Sequence, residues 1–227
     1  MEPVILPTGI EPVQVDCTLF YARSNELTPL EGLENLSIPD LVWDIESVHW
    51  TQACSALLSV RRLVRFHPLF LESHIADILQ ACLKQTKNLR SVVSKTALLC
   101  VSDLLQICQS QLLFTSEETM RSCLRTLLEI STSGKKFLAL ESDSALQGFI
   151  MNSSPCCIAR IGLHEVQHHS PAYRSALVRI VLSLLEKHSK EGEIKVCRNE
   201  SLIFSPKVID VQETIASLWS EKLNELV

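Results

Sequence analysis

The sequence predicts an all-α protein, an α-solenoid in which pairs of helices stack side by side. Apolar residues recur every three or four positions along most of the chain, and few stretches show the alternation of a β-strand. Only six of the 227 residues are glycine. Helices predicted to begin near residues 48, 90, 136 and 172 recur at intervals of 42, 46 and 36 residues. Such a period indicates an array of helical repeats, since one repeat takes about 40–47 residues.

Start and stop signals set the bounds of the predicted helices. The first helix ends before Pro68, because a proline inside a helix removes a backbone hydrogen bond. Thr115, followed three residues later by Glu118, is typical of a capping box, and Gly134 indicates where the helix that it opens stops. The periodicity predicts helices, paired in order from residue 48, over residues 48–64, 73–86, 90–108, 115–131, 136–152, 155–168 and 172–188.

The two ends of the chain stand apart from the repeat domain, which is predicted to span residues 46–190. Residues 1–45 contain five prolines and are predicted to form an extended N-terminal arm. The arm is expected to dock on the first repeat, because it carries the apolar residues Leu33, Leu36, Leu41 and Trp43. Residues 191–227 are predicted to form a linker and a C-terminal helix, apolar at helical spacing from Val208 to Leu226, that caps the last pair. A cut site within a longer parent protein is the alternative.

Composition argues against several classes of function. No stretch approaches the roughly 18 uncharged apolar residues that a membrane span needs, and no signal-peptide pattern follows Met1, so we expect a cytoplasmic protein. The net charge of −5 argues against nucleic acid as the main partner, since nucleic-acid binders usually carry a basic excess. Neither a glycine-rich phosphate loop nor a G-x-S-x-G elbow is present. We therefore expect no cofactor and no catalysis.

The nine cysteines favour neither disulfides nor a metal site. Five fall among apolar residues at helical spacing, where a free cysteine behaves as a small hydrophobic residue: Cys54, Cys82, Cys100, Cys108 and Cys123. Cys156 and Cys157 are adjacent, so they lack the spacing of a redox motif or a zinc knuckle. We therefore predict core cysteines and no bound metal.

One catalytic pattern is present at His164-Glu165-Val166-Gln167-His168. In an H-E-x-x-H motif, two histidines one helical turn apart hold zinc and the glutamate activates water. Pro171 ends this helix almost at once, whereas zinc peptidases continue the helix toward a third ligand. Glu186 and His188 are the only nearby candidates for that ligand, and both lie on the next predicted helix. A zinc hydrolase acting through this motif is one alternative function.

Four stretches of the chain point together to one family: Trp50–Pro68, Leu89–Leu98, Lys136–Leu146 and His168–Arg179. In order and spacing they resemble the TOG domains of the CLASP and crescerin families, over about residues 46–190. The resemblance implies a flat paddle of HEAT repeats that binds tubulin along one edge, through the turns within each repeat and the starts of the helices that follow. It also implies a microtubule or ciliary regulator, located in the cytoskeleton, the cilium or the centrosome.

The resemblance also assigns partner contacts to these turns. Trp50 corresponds to the first-turn tryptophan of the family, which packs on the tubulin surface. The full candidate set for tubulin or another partner is Trp50, Lys87, Arg90, Ser91, Lys135, Lys136, Tyr173, Arg174 and Arg179. Lysines and arginines at loop tips suit this partner, because tubulin is acidic and such charges attract it with little desolvation.

Each candidate also has a structural interpretation. Burial against the next repeat would explain Trp50, since large aromatic residues commonly fill cores. The lysines are ordinary for solvated turns, and Arg90 and Arg179 can pair with acids inside the stack. No basic residue closely follows Trp50, and about four repeats are visible where the family commonly has six. The second alternative function is therefore a helical-repeat scaffold that binds another protein or a peptide on its concave face.

Overall fold

The computed structural model describes residues 17–108, 116–153 and 155–191 and confirms the all-α class, because every regular element in these ranges is helical. Short 3-10 turns lie at Cys17–Tyr21, Ser24–Glu26, Leu33–Asn35 and Pro68–Leu71. The α-helices are α1 (Ile38–Ile45), α2 (Trp50–Phe66), α3 (Ile75–Gln85), α4 (Ser91–Ile107), α5 (Glu117–Ser131), α6 (Lys136–Asn152), α7 (Pro155–Glu165) and α8 (Pro171–Glu191). None of these described helices is long and apolar enough to cross a membrane.

Periodicity predicted seven of these helices to within a few residues but missed α1. Ser37 caps α1 by accepting a hydrogen bond from the Asp40 amide, and Pro39 lies in the first turn, where a proline is tolerated. The extra helix shifts the pairing by one, so the pairs are α1/α2, α3/α4, α5/α6 and α7/α8. The pairing predicted from residue 48 is therefore wrong, and Trp50 begins the second helix of its pair.

The helices form two layers along the stack. The first helices α1, α3 and α5 follow one another in one layer, and the second helices α2, α4 and α6 follow one another in the other. The core lies between the layers, where each helix buries its apolar stripe. Its fully buried side chains include Leu57, Leu63, Ile78, Leu98 and Phe149. The fourth pair departs from this order, because α8 lies against α7 and α5.

The start of α5 lies one residue from the predicted cap. The sequence pattern predicts Thr115 as the cap, with Glu118 as its partner. In the structure Ser116 is the N-cap residue, and its hydroxyl accepts a hydrogen bond from the Thr119 amide at 3.1 Å. Glu117 and Glu118 lie in the first turn, where the helix dipole favours negative charge. Thr115 itself lies outside the described residues.

The prediction of core cysteines is confirmed for all five of the cysteines named for the core. Each of these side chains is buried as a free thiol. Burial raises the pKa of Cys108 to about 11 and also raises the pKa values of Cys100 and Cys123, because an apolar environment disfavours the thiolate. Cys156 and Cys157 lie on α7, but their side chains are outside the described part of the chain.

The described part of the predicted arm folds into three 3-10 turns and α1. Its first residues, 17–26, are called the N-terminal segment below, and they contact α2 and α4. The backbone carbonyl of Ala22 accepts a hydrogen bond from Arg61 Nη1 at 2.8 Å, and that of Phe20 accepts one from Thr96 Oγ1 at 3.5 Å. The beginning of the arm, residues 1–16, and the predicted C-terminal cap, residues 192–227, lie outside the described residues.

A buried ion pair joins the N-terminal segment to two helices. Arg61, on α2, is 0% exposed, and its Nε atom donates to Oδ2 of Asp103, on α4, at 2.6 Å. The other carboxylate oxygen of Asp103 accepts a hydrogen bond from the Ser24 hydroxyl. Removing one partner of such a pair leaves an uncompensated buried charge. The pair therefore fixes how α2, α4 and the N-terminal segment lie against one another.

Replacing Asp103 by alanine should destabilise the protein by about 3–5 kcal/mol, because the Arg61 guanidinium would stay in the core without its carboxylate. Urea unfolding followed by the helical circular dichroism signal measures this loss. The matched control is Asp77→Ala, which removes an exposed carboxylate from the first turn of α3 and should cost no more than about 1 kcal/mol. Equal unfolding free energies for the two variants would contradict the structural role of the pair.

Candidate partner-binding edge

Four loops join the helices within the pairs and span residues 46–49, 86–90, 132–135 and 166–170. Because α2, α4 and α6 stack side by side, the loops that precede them come to one edge of the molecule. Side-chain contacts connect these loops, since Arg90 lies over Trp50 and Lys87 reaches Glu129 near the end of α5. We call residues 46–50, 86–91 and 132–136 together the loop edge.

Trp50 lies at the start of α2 and is half-buried. The ring of Phe20 meets it edge-on, with the ring centroids 6.4 Å apart, and the guanidinium carbon of Arg90 lies 5.9 Å from the centre of the Trp50 ring. Aromatic edge-to-face pairs and cation-π contacts both stabilise such an arrangement. Packing against the fold therefore accounts for part of the Trp50 side chain, and its contact with a partner stays a prediction.

Two apolar side chains stand at the tips of the first two loops. Val48 is 93% exposed and Leu89 is 98% exposed. Val48 lies two residues before Trp50 and Leu89 lies directly before Arg90, so the two loops that the Trp50–Arg90 contact joins each carry one exposed apolar side chain. Neither residue was a candidate by sequence, because a single apolar residue in a loop carries no periodic signal. Exposed apolar side chains that cluster, unlike scattered ones, are typical of interaction surfaces.

Hydrogen bonds hold both loop tips in place. In the first loop, the Ser47 hydroxyl donates to Oε1 of Gln52 at 2.8 Å and accepts from the His49 amide at 3.1 Å. In the second loop, Oδ1 of Asn88 accepts a hydrogen bond from the Arg90 amide at 2.9 Å. A partner would therefore meet preorganised loops, which lowers the entropic cost of binding.

The basic residues of the loop edge differ in how free their charges are. Lys87 pairs with Glu129 at 3.3 Å, and because Lys87 is largely exposed and Glu129 partly exposed, the pair contributes at most about 1 kcal/mol. Lys135 and Lys136 are exposed, and neither forms an ion pair within the described part of the chain. Ser91 is exposed at the first position of α4. At the third loop, Lys135 and Lys136 therefore carry positive charge that no described acidic side chain neutralises.

Near the fourth loop, the predicted contact residues Tyr173 and Arg174 are engaged within the protein itself. Tyr173 is 1% exposed, its hydroxyl donates to Oε2 of Glu165 at 3.1 Å, and its ring stacks on His168 with centroids 3.9 Å apart. The Nη1 atom of Arg174 donates to the carbonyls of His168 and His169 at 2.7 and 3.2 Å. Tyr173 therefore has no surface to offer, contrary to the prediction, and Arg174 braces its own loop.

The H-E-x-x-H motif is not carried by one continuous helix. Because α7 ends at Glu165, His164 and His168 lie on either side of the helix end. Glu165 is 2% exposed, and its Oε1 and Oε2 atoms accept hydrogen bonds from Nη2 and Nε of Arg125 at 2.7 and 2.9 Å. Within the described residues, no group of three or more histidines, cysteines or acids is placed to hold a metal ion.

Glu165 instead connects three helices. Burial raises the pKa of Tyr173, and the neighbouring Glu165 carboxylate raises it further, while hydrogen bonding to Glu165 raises the pKa of Arg125. Through its hydrogen bonds the carboxylate holds α5, by Arg125, and α8, by Tyr173, against α7. The proposed third ligands Glu186 and His188 lie on α8, but their side chains are outside the described part of the chain.

Two adjoining grooves lie on the layer of first helices and reach the loop edge at Glu46 and Lys87. One of about 480 Å³ lies between α1 and α3, and one of about 440 Å³ lies between α3 and α5. Gln80 and Lys84 on α3 line both grooves. Trp43 stands at the larger groove and is 78% exposed. This face is a second surface that a protein or a peptide can contact.

Comparison with known proteins finds distant relatives. The chain is 28% identical over 153 residues to the TOG array regulator of axonemal microtubules protein 1 of Mus musculus, and 25% identical over 154 residues to the protein of that name from Homo sapiens. The matches cover 65% and 66% of this chain but 8% and 9% of those proteins, so the chain spans less than a tenth of their length. Neither a protein-family model nor a solved structure matches the chain. The two relatives support a TOG-like relationship.

Replacing Glu165 by alanine should destabilise the protein by about 2–3 kcal/mol, because the buried Tyr173 hydroxyl and the Arg125 guanidinium both lose their acceptor. Thermal and urea unfolding measure the change. Glu118→Ala, which removes an exposed carboxylate from α5, is the control and should cost less than about 1 kcal/mol.

Thermal unfolding with added zinc distinguishes this structural role of Glu165 from a metal centre. A ligand that binds the folded state raises the melting temperature. Because Glu165 is expected to have a structural role and not to serve a metal centre, added zinc should leave the melting temperature of the native chain unchanged. A zinc-dependent increase that His164→Ala abolishes would instead favour the hydrolase interpretation.

Proposed function

We propose that this chain is a non-catalytic module that binds tubulin or microtubules through its loop edge. The observation that carries the proposal is the Trp50–Arg90 contact between the first two loops, and Val48 and Leu89, exposed on the same two loops, complete the cluster proposed as the site. The TOG-like resemblance and the two relatives, which are named as regulators of axonemal microtubules, support tubulin as the partner. The module would then act in a microtubule or ciliary regulator of the cytoskeleton.

The cluster has the composition of a binding hot spot. Tryptophan and arginine are enriched among residues that dominate binding energy, and hot spots commonly have a fixed aromatic side chain surrounded by contacts that exclude water. Phe20 packs against Trp50 from within the fold, while Val48 and Leu89 are exposed on the two loops that the Trp50–Arg90 contact joins. A partner that covered this cluster would bury two nearly fully exposed apolar side chains, which is favourable.

Charge adds a second, weaker contribution. Arg90, Lys135 and Lys136 give the loop edge positive side chains although the whole chain carries a net charge of −5. An acidic partner such as tubulin would be steered toward this edge, and the effect would fall with added salt. Lys87 contributes less, because Glu129 already balances its charge. Apolar contact at the first two loops is therefore expected to set affinity, and charge at the third loop to set the rate of association.

The fourth loop is left out of the proposed site. Tyr173 is buried and Arg174 holds the loop backbone, so neither is free to bind. Arg179 lies further along α8, at a groove between helices. The proposed tubulin site is thus Val48, Trp50, Leu89, Arg90 and Ser91, with Lys87, Lys135 and Lys136 beside them.

The scaffold alternative has its own supporting observation. Trp43 is largely exposed at the groove between α1 and α3, where a bound peptide could insert an apolar side chain. This alternative predicts that Trp43→Ala weakens binding of the partner while changes at the loop edge do not. The two surfaces can therefore be tested separately on one protein.

The double variant Val48→Asp/Leu89→Asp should lower affinity for tubulin at least about tenfold, a loss of about 1.4 kcal/mol, because both apolar contacts would be replaced by charges that an acidic partner repels. Cosedimentation with microtubules and size-exclusion chromatography with free tubulin measure the change. Leu69→Asp is the control, since Leu69 is also largely exposed but lies in the connection between α2 and α3.

Two outcomes would count against the proposal. A folded native chain that binds neither free tubulin nor microtubules at low salt would rule out tubulin as the partner. Equal binding by the native chain and the double variant would leave tubulin as the partner but move the site away from the loop edge. Circular dichroism of each variant checks that the fold is retained.

Lys135→Glu and Lys136→Glu should each reduce tubulin binding several-fold at low salt and have a smaller effect at moderate salt, because screening weakens exposed charges. The same cosedimentation series measures this dependence. Arg65→Glu makes an equal change of charge near the far end of α2 and should have little effect. Equal losses for Arg65→Glu and the two lysine variants would show that only net charge matters.

A further inference from the structure

A third groove, of about 300 Å³, lies between α8 and the two helices α5 and α6. Its apolar lining comes from all three helices and consists of Leu128, Leu146, Ile150, Ala176 and Ile180. Leu128, Leu146 and Ala176 are buried at its base, whereas Ile150 and Ile180 are only partly buried. The groove is therefore an opening into the hydrophobic core.

The groove coincides with the change in stacking at the fourth pair. The second helices α2, α4 and α6 pack successively on one another, but α8 lies against α7 and α5. One side of α6 therefore faces the groove, and α8 forms the opposite wall. A further apolar element placed there would continue the core at the point where the regular stacking ends.

The rim of the groove carries charge. Asp143 accepts a hydrogen bond from the Ser131 hydroxyl at 2.5 Å. Arg179 is exposed and has no ion pair among the described residues. An occupant with acidic residues beside an apolar stripe would match both the apolar lining and this arginine.

The chain that follows α8 has such a composition. α8 ends at Glu191, which leaves 36 residues up to position 227. Apolar residues recur at helical spacing from Val208 to Leu226. The same stretch contains four acidic residues and one lysine, and the acids are Asp210, Glu213, Glu221 and Glu225.

We propose that residues 208–226 dock in this groove as an amphipathic helix, with the apolar stripe against Ile150 and Ile180 and the acidic side near Arg179. The 16 residues from 192 to 207 can span up to about 50 Å when extended. The part of α8 between Ser183, which lines the groove, and Glu191 is only about 12 Å long. The segment can therefore turn back along α8 and cover the side of the last pair.

Tethering favours this segment over a separate partner. A short linker gives an attached segment a local concentration of about millimolar, so even a small groove can be occupied by it. Docking would give Arg179 an intramolecular acidic partner, which differs from the tubulin contact predicted from the sequence. This proposal is independent of the tubulin site, because the apolar groove residues lie outside the loop edge.

Hydrogen–deuterium exchange on the complete chain tests the docking. In the native protein, amides within residues 208–226 should exchange at least about tenfold more slowly than in the unfolded chain. Ile180→Asp, which places a charge in the groove, should remove this protection. Leu182→Asp is the matched control, because Leu182 lies on the same helix, is half exposed and does not line the groove.

A second variant covers the case in which Ile180→Asp also disturbs α8, which faster exchange within residues 171–183 would reveal. Arg179→Glu changes an exposed side chain and should speed exchange of residues 208–226 several-fold without affecting α8. Unprotected amides in the native segment, or protection that neither variant changes, would overturn the proposal. Protection that appears only in a dimer fraction would assign the groove to a second copy of the chain and would also overturn it.

Discussion

The buried pair of Arg61 and Asp103 is the contact on which the arrangement of the first two helix pairs depends. It lies where α2, α4 and the N-terminal segment meet, and the Ser24 hydroxyl and the Ala22 carbonyl add a hydrogen bond to each partner. A charge with no exposed surface strongly disfavours any packing that separates it from its partner. Apolar contacts alone constrain less strictly how two helices slide past each other, so this pair favours the register in which Arg61 meets Asp103.

The same contact determines what the loop edge presents. The N-terminal segment that meets Asp103 also brings Phe20 against Trp50, and Trp50 in turn meets Arg90. A continuous set of contacts therefore runs from the core ion pair to the surface proposed to bind tubulin. Residues 17–26 belong to the site in this sense, although none of them was a candidate by sequence. The loops themselves are held by their own side-chain hydrogen bonds.

A second buried carboxylate plays a comparable part at the fourth pair. Glu165 joins Arg125 and Tyr173, so the residues that suggest a zinc enzyme instead hold three helices together. Because Tyr173 is buried in this arrangement, it cannot contribute to the proposed binding surface. Within the described residues, the fold thus uses a buried acid on α4 in the second pair and another on α7 in the fourth pair, while exposed loops supply the proposed binding surface.

Local patterns in the sequence determined the all-α class, the bounds of seven helices and the burial of five cysteines, because helical periodicity and helix-stop signals act within a few residues. The eight-residue helix α1 was not predicted, since it is too short for a clear period, and the pairing of helices was misassigned with it. Only the tertiary structure decided that Tyr173 is buried, that the first two loops meet through Trp50 and Arg90, and that Arg61 pairs with Asp103. Each of these features depends on residues about 40 positions apart or on how whole helices pack. A local pattern in the sequence carries no information about either.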